Sequence, residues 1–255
     1  MNLDDVTPLL ITWNEAANLR RTLDALHWAR RIVVVDSGST DGTCEMLRAD
    51  PRIHLLTRTF DSFAGQCASG LAAVSSPFVL SLDADHVMTP GLVEELRALD
   101  STSAQAWAAP FRYCIEGLPL RSSLLPPRVI LFHRDSARYE NDGHAHRVVT
   151  GGRVARLREA LLHDDRKPLA RWLASQLSYA PREAEKLLGR EWRNLGWADR
   201  LRKLGLAPWI IVPYCLFVRG LVFDGRRGMY YTAQRQFAEI LLLLHLLDRA
   251  LVPRR

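Results

Sequence analysis

The sequence predicts an α/β fold: a mostly parallel, Rossmann-like sheet flanked by helices, with a helical C-terminal extension. Three observations predict it. Short apolar runs alternate with helix-patterned segments from Leu9 to Leu99. Asn14, Asp36 and the pair Asp83/Asp85 each fall just past the end of such a run. From Pro168 onward the pattern is helical.

Taken in order, Leu9-Leu10-Ile11-Thr12 reads as a buried strand. Glu15–Leu26 has apolar residues at Leu19, Leu23 and Leu26, a helical spacing, with Asn14 as its N-cap. Ile32-Val33-Val34-Val35 is β-branched throughout and reads as a second buried strand. The segment from Asp36 to Thr43 is rich in turn residues, with Asp41 or Thr43 capping a helix through Met46 and Leu47. A strand at Ile53–Thr57, a helix at Gly65–Val74 and a strand at Phe78–Leu82 follow. Pro90 opens a helix over Gly91–Leu99. Beyond it, Ala106–Ile115 and Val129–Phe132 read as strands and Arg138–Arg147 as a polar loop. Pro208–Val222 is strongly apolar, and Met229–Leu251 is a long helix. Neither reaches the roughly 20 uninterrupted apolar residues of a membrane span. The expected division is a nucleotide-binding catalytic domain over 1–165 and a helical region over 166–255.

With 255 residues, 48% of them hydrophobic, the chain can bury one sizeable core or a domain with an appendage, and its ordinary Gly and Pro content argues against disorder. Cys44, Cys67, Cys114 and Cys215 form no C-x-x-C pair, so a structural zinc site and a disulfide framework are not expected, and free thiols in a reducing compartment are. The segment MNLDDVTPLLITW lacks a basic stretch followed by a long apolar one; no signal peptide is read, and a cytoplasmic location is expected. The net charge is +6, with Arg dominating from Arg112 to the closing Pro253-Arg254-Arg255. Such a balance fits an anionic partner or a solubilising surface.

Ligands of parallel α/β sheets bind beyond the carboxyl ends of the strands. Asp83-Ala84-Asp85 ends a very apolar strand there, and two carboxylates so spaced can share a divalent cation, Mg²⁺ or Mn²⁺, directly or through water. That cation would neutralise a diphosphate leaving group. Asp36, also at a strand end, can accept hydrogen bonds from a base or a ribose; its neighbours Asp41 and Thr43 read as structural.

Three motifs then carry a specific resemblance. Thr12-Trp13-Asn14-Glu15, Val34-Val35-Asp36-Ser37-Gly38-Ser39-Thr40-Asp41-Gly42-Thr43 and Leu80-Ser81-Leu82-Asp83-Ala84-Asp85, in this order and spacing, resemble family 2 glycosyltransferases of the GT-A fold. Arg58-Thr59-Phe60 and Phe63-Ala64-Gly65-Gln66 resemble the lipopolysaccharide-core β-glycosyltransferase branch. Cys67 and His86 depart from that pattern, which often has Lys and Glu there. The resemblance implies inverting transfer from a nucleotide sugar, usually a uridine diphosphate sugar, to a glycan or lipid-linked acceptor. It implies that Glu15 and Asp36 hold the nucleoside; Thr12 and Asn14, in the first motif, are further candidate substrate-binding residues. It implies Arg58 near the base or phosphate, Asp83 at the ribose or metal, and Asp85 as metal ligand. Some enzymes of this fold recruit a late His as a further ligand, which makes His163 a candidate; the alternative for His163-Asp164-Asp165 is a helix cap by Asp165.

Inverting transfer needs a base within reach of the acceptor hydroxyl. Within Glu140-Asn141-Asp142-Gly143-His144-Ala145-His146-Arg147, Asp142 is the first candidate, with Glu140 and His144 behind it. Trp209, Tyr214 and Phe217 interleave with Arg219, Arg226 and Arg227, a composition suited either to a helix in a cytoplasmic membrane interface or to packing on the catalytic domain. Other classes fit less well. A metal-dependent nucleotidyltransferase expects a Gly-rich basic loop where Trp13-Asn14-Glu15 stands. A nucleic-acid-binding module expects its basic residues on one element, so no nucleic-acid partner is expected. A non-catalytic scaffold would not be expected to keep Asp36, Asp83 and Asp85.

Overall fold

The computed structural model describes residues 1–142 and 145–251. Two compact units make up the chain: Met1–Pro119 with Leu124–Arg166, and Leu120–Ser123 with the segment from Lys167 onward.

The first unit runs β1 (Val6–Thr12), α1 (Ala16–Ala25), β2 (Ile32–Asp36), α2 (Thr43–Arg48), β3 (Ile53–Thr57), α3 (Phe63–Ala72), β4 (Phe78–Asp83), β5 (His86–Val87) and α4 (Pro90–Ala98). It continues through β6 (Ala106–Ala109), β7 (Phe111–Ile115), β8 (Leu118–Pro119), β9 (Arg128–His133), β10 (Ala137–Asp142), β11 (Ala145–Thr150), β12 (Val154–Arg156) and β13 (Leu161–His163). Seven strands form the main sheet in the order β12-β6-β9-β4-β1-β2-β3. It is mostly parallel; β9 alone runs against its neighbours β4 and β6.

Side chains alternate across this sheet as the pleat requires. Leu10, Ile32, Val34 and Leu80 enter a core that Leu19 and Leu23 of α1 and Leu92 and Leu96 of α4 share. Leu9, Val33, Val35 and Val79 enter a second core with Cys67 of α3, Phe132 of β9 and Tyr139 of β10. Burial on both faces explains why these strands read as continuous apolar runs. All four cysteines are buried free thiols.

Three local expectations are corrected. Ala106–Ile115 is two strands in different sheets, because Pro110 lacks the N–H that a continuous ladder needs. The predicted polar loop Arg138–Arg147 is instead an antiparallel pair, β10 against β11, whose register sets Glu140 opposite Arg147. Only Arg138-Tyr139-Glu140 shows the alternation of a strand with one wetted face, with Tyr139 buried between two charged neighbours, and the polar run after it reads locally as a loop. Gly42, in the left-handed region at φ 94°, occupies the N-cap position of α2 expected for Asp41 or Thr43. A small third sheet, β5-β13-β7-β8, closes the first unit. Its β7–β8 hairpin turns on Glu116 (φ 51°) and Gly117 (φ 77°), the paired positive φ of a tight hairpin.

The second unit contains α5 (Leu169–Leu188), α6 (Trp197–Lys203), α7 (Ala207–Pro213), a π-helical turn at Tyr214–Val218 and α8 (Gly225–Leu251). Ala184, Leu187, Leu195, Leu242 and Leu246 form its core. Arg202 of α6 grips the buried Glu239 of α8, with Nη2 2.7 Å from Oε1.

Gly70 marks a close packing of helix on sheet in the first unit. A Cβ there would lie 2.3 Å from Leu9 Cδ1 and 2.8 Å from Val35 Cγ2. Gly70→Ala is expected to lower unfolding stability by about 1–3 kcal/mol through overpacking. Urea denaturation measures it, and an unchanged midpoint would refute the contact.

Candidate active site

Thr12, Asn14, Glu15 and Asp36 converge where β1 and β2 end. Asp36 is fully buried. Its Oδ1 accepts from the backbone N–H groups of Gly38 and Ser39 and from Cys44 Sγ. Its Oδ2 accepts from Thr12 Oγ1 at 2.9 Å and from Ser39 Oγ at 2.5 Å. Burial would raise its pKa, but these hydrogen bonds outweigh it and hold the carboxyl below its ordinary value. Asp36 thus organises the loop with both of its oxygens.

The same loop fastens the start of α1. Asn14 is not its N-cap: at φ 55°, it accepts from Thr40 N–H through Oδ1, and its own N–H donates to Ser39 Oγ. The position before the helix is Glu15, whose N–H donates to Thr43 Oγ1, while Asp41 Oδ2 takes the N–H of Ala16. A carboxylate distant in sequence supplies the cap. Glu15 also accepts from Asn18 Nδ2. Asn18 in turn binds Asp165, whose expected role as a helix cap is replaced by this link; Pro168 stands at the N-cap of α5. Arg58 forms a two-pronged ion pair with Asp61, at 2.7 and 2.6 Å, and its backbone N–H donates to the Asp36 carbonyl.

The second cluster surrounds Asp83-Ala84-Asp85. β4 ends at Asp83, and the turn is pinned by Thr22 Oγ1 donating to the Ala84 carbonyl. β5 then pairs antiparallel with β13, setting His86 opposite His163, and Asp164 N–H donates to the Asp85 carbonyl. This register brings His163 Nε2 to 3.6 Å from Asp85 Oδ2. Tyr113 stacks on the His163 ring at 4.9 Å, and the edge of Phe111 meets His86 at 5.0 Å.

Asp85, His86 and His163 each point one donor atom into a space where all three lie within 4.8 Å of one another. Asp85 Oδ1, His86 Nε2 and His163 Nδ1 are buried without hydrogen-bond partners. Buried polar atoms left so are costly, and a divalent cation would satisfy lone pairs of Asp85 and His163. The donor set therefore fits a cation. His86 differs from the other two. Its Nδ1 accepts the Asp83 N–H at 2.9 Å, and burial lowers its pKa against the pull of Asp83 and Asp85, so the ring is neutral with its proton on Nε2. That proton faces Asp83 Oδ2 at 3.5 Å and Asp85 Oδ1 at 3.8 Å. These contacts are longer than hydrogen bonds, so His86 Nε2 stays without a partner among the described residues, and the ring differs from His163 in having its Nδ1 already occupied.

A cavity of about 250 Å³ opens beside this cluster. Ser81, Asp83 and His86 line one side; Arg128, Asp142 and His146 also line it. Arg128 Nη2 donates to the His146 carbonyl. Asn141 Oδ1, taking the N–H of Ala64, fastens β10 to α3. Glu140 is placed differently from Asp142: Arg138 and Arg147 hold it at 2.8 and 3.0 Å and keep its carboxyl below the ordinary range. A carboxylate so paired is a weaker proton acceptor than an unpaired one, and Glu140 is not among the residues that line the cavity. His144 lies outside the described residues. Sequence reasoning missed His146 and Arg128; Pro126-Pro127 ahead of Arg128 is the one local sign of a constrained wall. It noted His86 only as a departure from a pattern.

The glycosyl transferase family 2 model matches residues 9–162. The chain is 27% identical over 233 residues to the lipopolysaccharide core biosynthesis glycosyltransferase LpsC of Rhizobium meliloti (strain 1021), covering 88% of this chain and 84% of that protein. Its fold is similar to that of the mannosyltransferase PcManGT from Pyrobaculum calidifontis, solved in complex with GDP-Man and Mn²⁺ (TM-score 0.56, 16% identity, 98% of this chain and 88% of that one). It is also similar to S. aureus TarS 1-349 solved with UDP-GlcNAc (TM-score 0.51, 12% identity, 92% and 90%). The main sheet, the strand-end carboxylates and the family match agree: the chain is a glycosyltransferase of GT-A fold and belongs to glycosyl transferase family 2.

Proposed function

We propose that the enzyme moves a sugar, with inversion, from a uridine diphosphate sugar to a hydroxyl of a glycan or lipid-linked acceptor in lipopolysaccharide or envelope-glycan synthesis. The observation that carries this reading is the cavity whose wall holds Asp83 and His86 and also Asp142. It offers a phosphate-side cluster and an acceptor-side carboxylate around one space. The name of the Rhizobium relative supports the acceptor class, and the UDP-GlcNAc and GDP-Man in the similar structures support a nucleotide-sugar donor.

In this reading the nucleoside lies over the ends of β1 and β2, against Asn14 and Glu15, on a loop that Asp36 and Thr12 hold in shape. Arg58 reaches the base or the diphosphate when it releases Asp61. Asp85 and His163, with Asp83, hold Mg²⁺ or Mn²⁺, which when bound offsets the charge of the diphosphate. Asp142 accepts the acceptor hydroxyl proton as the oxygen bonds to the anomeric carbon. The bond from that carbon to the diphosphate oxygen breaks, and its electron pair leaves with the nucleoside diphosphate.

Three outcomes test these roles. Asp85→Ala is expected to lose Mn²⁺-dependent UDP binding in calorimetry while its circular dichroism stays that of the parent; full activity in this variant would refute the metal assignment. Asp142→Asn should bind UDP as the parent does yet lower kcat by about 10²–10⁴, and a lost donor affinity would move Asp142 out of the base role. His86→Gln, which keeps an N–H donor, should hold Mn²⁺ more tightly than His86→Leu. Equal Mn²⁺ affinity of the two variants would show that the Nε2 proton does not orient the carboxylates.

A further inference from the structure

The second unit presents an apolar stripe to solvent that its core does not use. From Leu206 through α7 and the π-helical turn, Leu206, Trp209, Ile210, Pro213, Phe217 and Val218 recur at helical spacing, and all are exposed. Trp209, Phe217 and Val218 are 73%, 71% and 72% exposed. The opposite side of the same segment is the packed one, with Pro208 and Cys215 buried. Immediately beyond, Val222 and Phe223 are again exposed, Phe223 at 74%. Single exposed apolar residues need no account, but a continuous row of this size marks an interaction surface.

Charge around the stripe identifies its partner. Residues 204–218 contain no charged side chain. The flanks, 190–203 and 219–227, contain eight basic and three acidic residues. Arg190, Arg193 and Arg202 are paired with acids, while the rim cations Arg200, Arg226 and Arg227 have no ion pair among the described residues. Arg200 lies 5.8 Å over the exposed Trp192 ring, and Arg121 lies 5.3 Å over Phe223, so cations sit beside aromatic rings at the rim. Trp197, 63% exposed, adds a third indole to the surface. An apolar stripe bordered by Trp and Arg is the composition of a helix lying in the headgroup region of an anionic bilayer. A second copy of the chain would set like-charged rims against each other.

We infer that the Leu206–Val218 stripe, with Val222 and Phe223, docks this protein in plane on an anionic lipid bilayer, its basic flanks lying over the headgroups. Insertion is shallow. Among the described residues no single helix is long and apolar enough to cross a membrane; Ala207–Val218 and Leu221–Leu251 reach that length and apolarity only as a pair, bent by 74° at their junction. α8 also carries Arg226, Arg227, Arg235 and the buried Glu239, which a span would have to desolvate. The inference does not depend on the transfer chemistry, since docking is read separately from activity.

The test is flotation of the full chain with vesicles of phosphatidylethanolamine and phosphatidylglycerol, against vesicles of phosphatidylcholine alone. The parent should bind the anionic vesicles about tenfold more. Phe217→Glu with Val218→Glu should abolish flotation while leaving UDP binding and circular dichroism unchanged. Arg226→Glu with Arg227→Glu should remove the preference for anionic lipid. A parent that fails to float with anionic vesicles overturns the inference. So does a parent that is dimeric in sedimentation and becomes monomeric on Phe217→Glu, because the stripe would then be a self-association face.

Discussion

The site depends first on one buried carboxylate. Asp36 leaves β2 inside the protein, and its carboxylate accepts hydrogen bonds from three parts of the surrounding chain: Thr12 at the end of β1, Gly38 and Ser39 in the loop, and Cys44 in α2. A buried charge is tolerated only where hydrogen bonds replace water. The loop must therefore close around Asp36, and in closing it places Ser39, Thr40, Asp41 and Thr43 where they fasten Asn14, Glu15 and the first turn of α1. The surface over the strand ends takes its shape from this closure.

A second constraint assembles the cluster of Asp85, His86 and His163. β5 is only two residues long, yet its antiparallel pairing with β13 decides that His163, far along the chain, stands beside Asp85. The strands carry little weight as a sheet; their value is register. A slip of one residue would turn His163 to the other face. The backbone link from Asp164 to the Asp85 carbonyl and the ion pair of Asp164 with Arg21 of α1 oppose such a slip.

His86 shows how a neighbour changes the meaning of a residue type. Two histidines and a carboxylate in one pocket suggest three ligands of one kind. The Asp83 N–H occupies Nδ1 of His86 and fixes its proton on Nε2, which makes that ring a donor toward the acids. No such bond engages His163 among the described residues: its Nδ1 is buried without a partner and its Nε2 lies 3.6 Å from Asp85 Oδ2.

Much of this was fixed by sequence alone. Runs such as Ile32–Val35 and Phe78–Leu82 specify buried strands whatever surrounds them, and the carboxylates that follow them fall at strand ends because the runs stop there. Those local patterns determine the α/β alternation, the position of Asp36, Asp83 and Asp85, and the family. Pairing partners are a different matter, since hydrogen-bond register joins residues that no local pattern relates. Only the tertiary structure decided that Arg138–Arg147 contributes to a strand pair, that this pair puts Asp142 on a cavity wall and ties Glu140 to two arginines, and that the proton of His86 faces the acids. It also decided which side of the Leu206–Val218 helix is packed, because apolar residues occur on both sides and only the contacts that α7 makes within its own unit determine which are left in water.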